Sequence, residues 1–530
     1  MTITSTTSTT TATKKSIPTM KCIQTLEPPS PPPSSNNTRS TITSNNTSIH
    51  DKLLLLDSNH NNHNDNAYPS PVWSCTFSHD GKTLATAHGK PNIPCIRIWK
   101  LQPQEQEEEP QKQEQWELTA TLRHDHYNHD YNNNNNNEEE DNNISRTIRA
   151  IEFAYTPPNV RYILACASFD GTVRIWEDFS FSSNGNMEKQ YNYQQKQQKQ
   201  PKYQPKQEQT TNSSMDTNAG WENTAQLEGH ENEVKDISWN NTGTLLATCG
   251  RDKTIWIWEC FLPGIIGSDG NGSTSFHSSI AGNNGSGGGG GGGGQGDFEC
   301  IAVLSSHNGD VKDVEFTSSL NQFGDGDDIL LSASYDDTIK VWAEEDGEWY
   351  CALTLTNVHS STIWSIALSS SGVRMFSASA DCSLGIWKFY TINEKRQMIK
   401  DKQNNKNSNN GDGGDMGITS DGLWKCVGKL PCAHHKQPIY SVHCASSRTG
   451  HGRIVSGGGD DAINIYREVV VNNSGSNNVS NDEAPLFVTE ISVRKAHDGD
   501  VNCVRWHPLD GSLLASAGDD GLVKIWKFSP

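Results

Sequence analysis

GHENEVKDISWNNTGTLLATCGRDKTIWIWE, residues 229–259, contains the pattern that decides the fold. It combines a histidine, His230, with an aspartate, Asp252, that stands six residues before a tryptophan, Trp258. Between them run short segments rich in β-branched and aromatic residues, which predict β-strands separated by polar turns. We label these three strands a, b and c in chain order.

The same pattern recurs along the chain, which indicates a repeat architecture. An Asp stands six residues before a Trp or Tyr at Asp170/Trp176, Asp252/Trp258, Asp336/Trp342, Asp381/Trp387, Asp460/Tyr466 and Asp520/Trp526. Trp99 ends a seventh copy, whose turn HGKPNIPC (residues 88–95) has no Asp. Seven copies therefore predict seven blades.

A histidine precedes strand a in five copies, four residues before a β-branched residue: His230, His307, His359, His435 and His497. A Ser or Thr also stands four residues before five of the six aspartates. These side chains can form a hydrogen-bonded chain, which a buried carboxylate requires. A His–Asp–Ser set resembles a hydrolase triad, but a triad occurs once whereas this set recurs in five copies. The repetition indicates a structural role.

The outer strands carry an aromatic residue six positions before an aliphatic one: Trp116–Leu122, Trp221–Leu227, Phe298–Leu304, Trp349–Leu355, Trp424–Leu430 and Phe487–Val493. These are six outer strands for seven inner cores. MKCIQTL (residues 20–26) matches the template, so we expect it to close blade 7, with KLLLL (residues 52–56) as the alternative. Ring closure limits exposed sheet edges. The prediction is an all-β, seven-bladed WD40 β-propeller over residues 19–530, with a disordered tail at 1–18.

Long stretches of low complexity interrupt the repeats and are predicted to be disordered, because they hold too little apolar surface to offset their ordering entropy. They are residues 28–66, 101–115, 125–143, 178–219, 260–297, 391–421 and 470–485. Five of them fall between strand c and the outer strand d, on one face of the disc. Only 125–143 is expected on the opposite face, which carries the b–c turns and d–a loops. We therefore expect that clearer face to be the working surface.

The residue before each Asp projects from the b–c turn onto this face. Phe169, Arg251 and Tyr335 occupy that position in blades 2 to 4 and are of the types that dominate protein interfaces. We expect them to form one partner-binding patch. For Arg251 the alternative is an ordinary solvated charge, or a pair with Glu231 or Glu233.

Composition excludes several other functions. The net charge of −20 argues against nucleic acid as the main partner, and no apolar stretch is long enough to span a membrane. His124, His126 and His129 match no firm metal-ligand spacing, and the glycine run at 287–294 lacks the Lys-Ser/Thr of a phosphate loop. No acid–base cluster is recognisable at the central channel. We therefore expect no enzyme activity, cofactor or metal. The cysteines read as reduced thiols of a cytoplasmic, possibly also nuclear, protein.

Two adjoining blades resemble a particular family. GHENEVKDISW (229–239), LLATCGRDKTIWIWE (245–259), ECIAVLSSHNGDVKDVEF (299–316) and LLSASYDDTIKVW (330–342) are similar to the cytosolic iron–sulfur assembly WD-repeat protein. In that family blade 3 combines GHENEVK with an Arg-Asp-Lys turn, and blade 4 carries a SYDDT turn. Here Gly250 replaces the family's Ser before the Arg, and the insertions are much longer.

The resemblance implies a non-catalytic member of the complex that targets iron–sulfur clusters to apoproteins. The implied partners are a small metal–sulfur-assembly protein, a HEAT-repeat adaptor, a hydrogenase-like iron–sulfur carrier and the apoprotein clients. The family's functionally important Arg falls on Arg251. The alternative is a substrate receptor of a ubiquitin ligase. Those propellers carry an Asp after the strand-c Trp and an Arg two residues later, which none of the copies here does.

Overall fold

The computed structural model describes residues 18–27, 70–89, 94–102, 115–123, 146–157, 160–180, 219–262, 297–318, 323–394, 396–397, 423–430, 437–446, 448–469 and 486–529. These residues form seven antiparallel sheets of four strands each, which confirms the seven-bladed propeller. The strands are β1 Thr19–Leu26, β2 Val72–Phe77, β3 Thr83–His88, β4 Cys95–Leu101, β5 Trp116–Arg123, β6 Ile148–Phe153, β7 Ile163–Ser168, β8 Thr172–Asp178, β9 Trp221–Glu228, β10 Val234–Trp239, β11 Leu245–Gly250, β12 Ile255–Phe261, β13 Asp297–Leu304, β14 Val311–Ser318, β15 Asp328–Ser334, β16 Ile339–Glu345, β17 Glu348–Leu355, β18 Ile363–Leu368, β19 Arg374–Ser379, β20 Leu384–Tyr390, β21 Leu423–Leu430, β22 Ile439–Cys444, β23 Ile454–Gly458, β24 Ile463–Val469, β25 Leu486–Val493, β26 Val501–Trp506, β27 Leu513–Gly518 and β28 Val523–Ser529.

Blade 1 comprises β2–β5, each following set of four strands up to β25 forms the next blade, and β26–β28 form blade 7 together with β1. The a strands of neighbouring blades contact one another around the centre of the ring. Each b strand lies inside its sheet, and both of its faces pack against neighbouring blades. For this reason β7, with the sequence ILACAS, is buried at all six positions. Apolar side chains of adjacent blades share cores, as Ile257 of blade 3 does with Val311 and Trp342 of blade 4. The interior is thus a ring of inter-blade cores.

The N-terminal strand β1 completes blade 7. It runs antiparallel to β28, with Thr19 opposite Ser529 and Leu26 opposite Val523, and Leu26 is only 3% exposed. The Gln24 amide also forms two hydrogen bonds, of 2.8 and 2.9 Å, with the backbone of Trp116 in blade 1. MKCIQTL is therefore the segment that pairs here, while the alternative at 52–56 lies outside the described residues.

Several predicted insertion boundaries need correction. Leu101, Asp178 and Cys260–Phe261 belong to strand c, and Asp297 opens strand d, because strand c continues past its Trp to pair with the outer strand. Residues 392–394 are helical rather than disordered. The reason is a reciprocal cap, in which the Thr391 backbone donates to the Glu394 carboxylate and the Glu394 backbone donates to the Thr391 hydroxyl.

The expectation that one insertion alone reaches the face of the b–c turns was wrong. Residues 28–69 connect β1, the outer strand of blade 7, to β2, the inner strand of blade 1, and are thus also a d–a connection. The assignment of insertions to the two faces had not included residues 28–66, which follow the closing strand. The predicted disorder of the tail and insertions concerns residues outside the described part of the chain.

Candidate functional site

The predicted hydrogen-bonded chain is complete in four blades. In blade 3 the Asp252 carboxylate lies 2.7 Å from His230 Nδ1, and the other ring nitrogen lies 2.9 Å from the Thr248 hydroxyl. The Trp258 indole N–H donates to that hydroxyl at 3.2 Å. The equivalent sets in blades 4, 5 and 7 are His307, Ser332, Asp336 and Trp342; His359, Ser377, Asp381 and Trp387; and His497, Ser516, Asp520 and Trp526. Each chain ties the loop before strand a to strands b and c.

The hydrogen-bond donors of blade 3 determine which nitrogen of His230 carries the proton. Since the Thr248 hydroxyl accepts from Trp258, it can donate to Nε2 of His230, which leaves the ring proton on Nδ1, facing Asp252. Burial alone would raise the pKa of the Asp252 carboxyl. Hydrogen bonds from His230 and Thr254 outweigh burial and lower that pKa to about 2. The aspartates are therefore ionised near neutral pH, and the b–c turns are held rigidly.

Within the described ranges, blades 1, 2 and 6 depart from the pattern. In blade 1, Nη1 of Arg97 lies 2.8 Å from Nδ1 of His88, where other blades place the Asp, and His88 Nε2 lies 2.9 Å from the Thr86 hydroxyl. The sequence analysis missed this histidine because it lies in strand b rather than before strand a. In blade 6, Ser456 donates to the Tyr466 hydroxyl at 3.2 Å, while His435, predicted beside Asp460, lies outside the described residues.

Blade 2 has Cys166 in the Ser/Thr position, and burial raises the pKa of its thiol to about 12. Asp170 instead accepts from the Thr172 backbone at 2.9 Å and from its hydroxyl at 2.7 Å. These two bonds lie within the turn of blade 2. His124, His126 and His129 all lie outside the described residues.

Arg251 stands at the tip of the b–c turn of blade 3. Its backbone N–H donates to the Glu233 carbonyl at 2.9 Å, and its guanidinium lies 3.1 Å from the Glu233 carboxylate. This is one of the two pairs considered as the alternative to a binding role. The Arg251 side chain remains 54% exposed, so the pair orients the guanidinium without covering it. A pair this exposed adds little to stability.

Phe169 and Tyr335 occupy the equivalent tips in blades 2 and 4. A lysine from a strand a lies over each of the two rings. Lys235 Nζ lies 4.1 Å from the centre of the Phe169 ring, and Lys312 Nζ lies 5.7 Å from that of Tyr335. Tyr335 is 61% exposed, whereas Phe169 is half-buried. Burial, with the nearby charges of Lys312 and Arg149, lowers the pKa of Lys235 to about 8. Phe169 and Tyr335 thus each contact a lysine, and the two lysines interact electrostatically.

The sequence analysis missed these lysines, which belong to a set at the second position of strand a. That position holds Trp73, Arg149, Lys235, Lys312, Trp364, Tyr440 and Asn502. Arg149 lies over Trp73 at 5.5 Å, and Lys312 lies over Trp364 at 5.0 Å. Superposing the strand-a openings of the repeats would have revealed this aromatic and cationic set.

The central ring also contains a carboxylate cluster that the sequence analysis did not recognise. Glu152, Asp236, Asp313 and Glu315 are half-buried on the a strands, and desolvation of the carboxyl groups raises the pKa of Glu152 to about 8 and that of Glu315 to about 7. Each accepts a backbone N–H from the next blade, as Asp236 does from Val314 at 3.1 Å. They connect neighbouring blades, which is a structural role.

The described residues contain neither a metal-binding cluster nor a membrane-spanning helix. In that part of the chain, no three His, Cys, Asp or Glu side chains are arranged to hold a metal ion. None of the helical segments within the described ranges is long and apolar enough to cross a bilayer.

The fold and this face define a WD-repeat propeller with an exposed Arg-aromatic surface on its b–c turns. The family model of the WD domain, G-beta repeat, matches residues 145–177, 221–259, 298–343, 349–388 and 488–527. A protein of Neurospora crassa named probable cytosolic iron-sulfur protein assembly protein 1 is 31% identical over 341 residues, 58% of this chain and 68% of the relative. Its Candida albicans namesake is 32% identical over 376 residues, 69% of this chain and 78% of the relative. The chain belongs to the family of cytosolic iron–sulfur protein assembly protein 1.

Proposed function

We propose that this propeller is a non-catalytic scaffold that docks assembly factors and apoprotein clients for the insertion of [4Fe-4S] clusters. The observation that supports this role most directly is the position of Arg251. The hydrogen-bonded chain of blade 3 fixes its backbone, and its guanidinium is exposed on the b–c face. A prefixed backbone lowers the entropy cost of presenting a side chain to a partner. The names of the relatives give the scaffold its assembly context.

The proposed partners are a small metal–sulfur-assembly protein, a HEAT-repeat adaptor, a hydrogenase-like iron–sulfur carrier and the client apoproteins. Phe169, Arg251 and Tyr335 form the proposed contact surface, with Lys235 over the Phe169 ring and Lys312 over the Tyr335 ring. Arg and aromatic side chains recur as hot spots because they combine a large contact area with directional polar groups. The name of the relatives describes them as cytosolic. We propose the same location for this chain, with a fraction of the protein also in the nucleus.

Arg251→Glu tests the proposal, with Lys253→Glu as the matched control. Both residues lie exposed in one turn, and both substitutions change the charge equally. Arg251→Glu should leave unfolding nearly unchanged, within about 0.5 kcal/mol, because the residue is exposed. It should weaken co-purification with the assembly partners by at least about tenfold, since loss of a hot spot costs about 2 kcal/mol. Lys253→Glu should leave co-purification near wild type.

The readouts are thermal unfolding, pull-down of the partners and maturation of a cytosolic iron–sulfur enzyme in cells depleted of the native protein. If both variants unfold alike and both support full maturation, Arg251 is a solvated surface charge paired with Glu233. If the wild-type protein itself captures none of the assembly partners, the scaffold assignment is wrong.

A further inference from the structure

Blade 3 differs from the other blades at its outer rim. Each outer strand has an equivalent position just before the aliphatic residue that ends its apolar pattern. That position holds Thr25, Thr121, Gln226, Val303, Thr354, Lys429 and Ser492. Six of the seven are polar, whereas Val303 is apolar and 48% exposed. The fold therefore does not require an apolar residue there.

The residue opposite this position on strand c differs in the same blade. Val303 pairs with Trp256. The pairs in the other blades are Arg97–Thr121, Arg174–Gln226, Lys340–Thr354, Gly385–Lys429, Asn464–Ser492 and Lys524–Thr25. In blade 4 the pair is joined by a hydrogen bond of 3.0 Å from lysine to threonine. Blade 3 thus replaces a polar cross-strand pair with an apolar one.

Trp256 is held in a fixed orientation. Its ring stacks on Trp258 at 5.6 Å with an interplanar angle of 19°, and its N–H donates to the Thr254 hydroxyl at 3.0 Å. The ring also covers Gly229, where a Cβ atom would approach it to 2.4 Å. A rigid indole beside an exposed valine presents apolar surface at little entropy cost.

The apolar surface extends along β13. Ile301 is 44% exposed, and the neighbouring Cys300 is also exposed. Exposed strand edges are normally protected by charged side chains, as β9 is by Glu222 and Glu228. β13 lacks that protection over its C-terminal half. Within the described strands β13 pairs with β12 alone, so its outer edge offers backbone donors and acceptors to another strand.

The N-terminal half of β13 is acidic. Asp297 and Glu299 are exposed there, and Glu259 of β12 lies opposite Glu299. No ion pair joins any of these three carboxylates to a basic residue in the described ranges. From its N-terminal to its C-terminal end, the edge of β13 is therefore first acidic and then apolar. A complementary strand must place basic residues opposite the acidic half and apolar residues opposite the apolar half.

We propose that β13 docks an extended segment of a partner protein, which adds to blade 3 as an antiparallel fifth strand. Read in its own direction, the segment carries alternating apolar residues that contact Val303, Ile301 and Trp256, followed by basic residues that face Glu299 and Asp297. Backbone hydrogen bonds supply affinity in this mode, and alternate side chains supply specificity. The surface is separate from the contact residues of the b–c turns, so it stands or falls independently of the scaffold role.

The test uses the full chain and a fluorescein-labelled synthetic peptide, SVTISVTKSK, with a scrambled peptide as control. Val303→Thr installs the residue that the equivalent position holds in blades 1, 4 and 7, so the fold should tolerate it. It should weaken binding, measured by fluorescence anisotropy, by about tenfold, the loss expected when an apolar contact is replaced by a hydroxyl. Thr354→Ser, at the same position in blade 4, should change nothing.

Reversing the charge at Glu299 distinguishes specific strand addition from non-specific binding of the peptide. Glu299→Lys should weaken SVTISVTKSK and strengthen its acidic counterpart SVTISVTESE. The proposal is overturned if the peptide binds no better than its scrambled form, or if Val303→Thr and Glu299→Lys leave binding unchanged. It is also overturned if sedimentation shows that the chain dimerises and that Val303→Thr abolishes dimerisation, because the edge then serves a second copy of this chain.

Discussion

Removing residues 1–28 deletes strand β1 and leaves blade 7 with three strands. The deletion exposes the outer edge of β28 and removes the Gln24 contacts that bind blade 7 to Trp116 of blade 1. A second truncation, lacking residues 1–18, keeps β1 intact and serves as the matched control. Both proteins retain the described residues from 70 onward, so any difference between them reports on residues 19–28.

The expected loss follows from what β1 buries. Leu26 is 3% exposed in the core shared by blades 7 and 1, and burying one such side chain contributes about 2 kcal/mol. The two hydrogen bonds of Gln24 add about 1 kcal/mol each. These terms alone amount to about 4 kcal/mol. Since about 1 kcal/mol shifts the midpoint of a large domain by about 2–4 °C, the longer truncation should melt about 10 °C lower.

Differential scanning calorimetry on both truncations provides the measurement, and Leu26→Ala in the full chain separates side-chain burial from strand loss. That substitution should cost about 2–5 kcal/mol. Equal midpoints for the two truncations would refute the reasoning, since they would mean that β1 contributes nothing to ring closure.

Two further predictions concern protonation and metal. Asp252→Asn should destabilise the propeller by about 2 kcal/mol at pH 7, because the folded-state pKa of Asp252 is lowered to about 2 from an unfolded value near 3.9. This stabilisation is present above about pH 4 and is lost as the pH falls through 2, so urea unfolding of wild type and variant should converge in acid; a constant difference would contradict the assignment. The isolated protein, reconstituted anaerobically with iron and sulfide and then desalted, should retain no stoichiometric cluster by iron analysis and visible absorbance, whereas near-stoichiometric retention would indicate a carrier.

The fold could be predicted because its determinants are repeated. The His230, Asp252 and Trp258 set, with six residues from Asp to Trp, recurs with similar hydrogen bonds in blades 4, 5 and 7, so several copies support one interpretation. Even the missing outer strand was recognisable, because six strands of the same template left one position of the ring unfilled.

The residues that escaped prediction occur in single blades or depend on contacts between blades. Asp236 looks like any strand residue until the next blade brings the Val314 N–H to its carboxylate. His88 and Arg97 replace the usual His–Asp pair from other positions, so a fixed spacing could not find them. The contacts of Lys235 with Phe169 and of Lys312 with Tyr335 are recognisable only in the folded structure. These contacts join different strands, and in some cases different blades, so the spacing of residues along the chain does not predict them.

In a repeat protein the blades can be compared with one another, because equivalent positions in different blades have the same role in the fold. Arg97 departs from the other blades at a site where it contacts His88 within the blade, so packing accounts for it. Arg251 and Val303 depart at exposed positions where other blades hold Gly459 and Thr354 without loss of the blade. Arg251 pairs with Glu233, but an ion pair this exposed adds little to stability, so the packing of the blade requires neither Arg251 nor Val303. Both lie in blade 3, where Arg251 contacts Glu233 and Val303 pairs with Trp256, and contact with other proteins is the role that we propose for them.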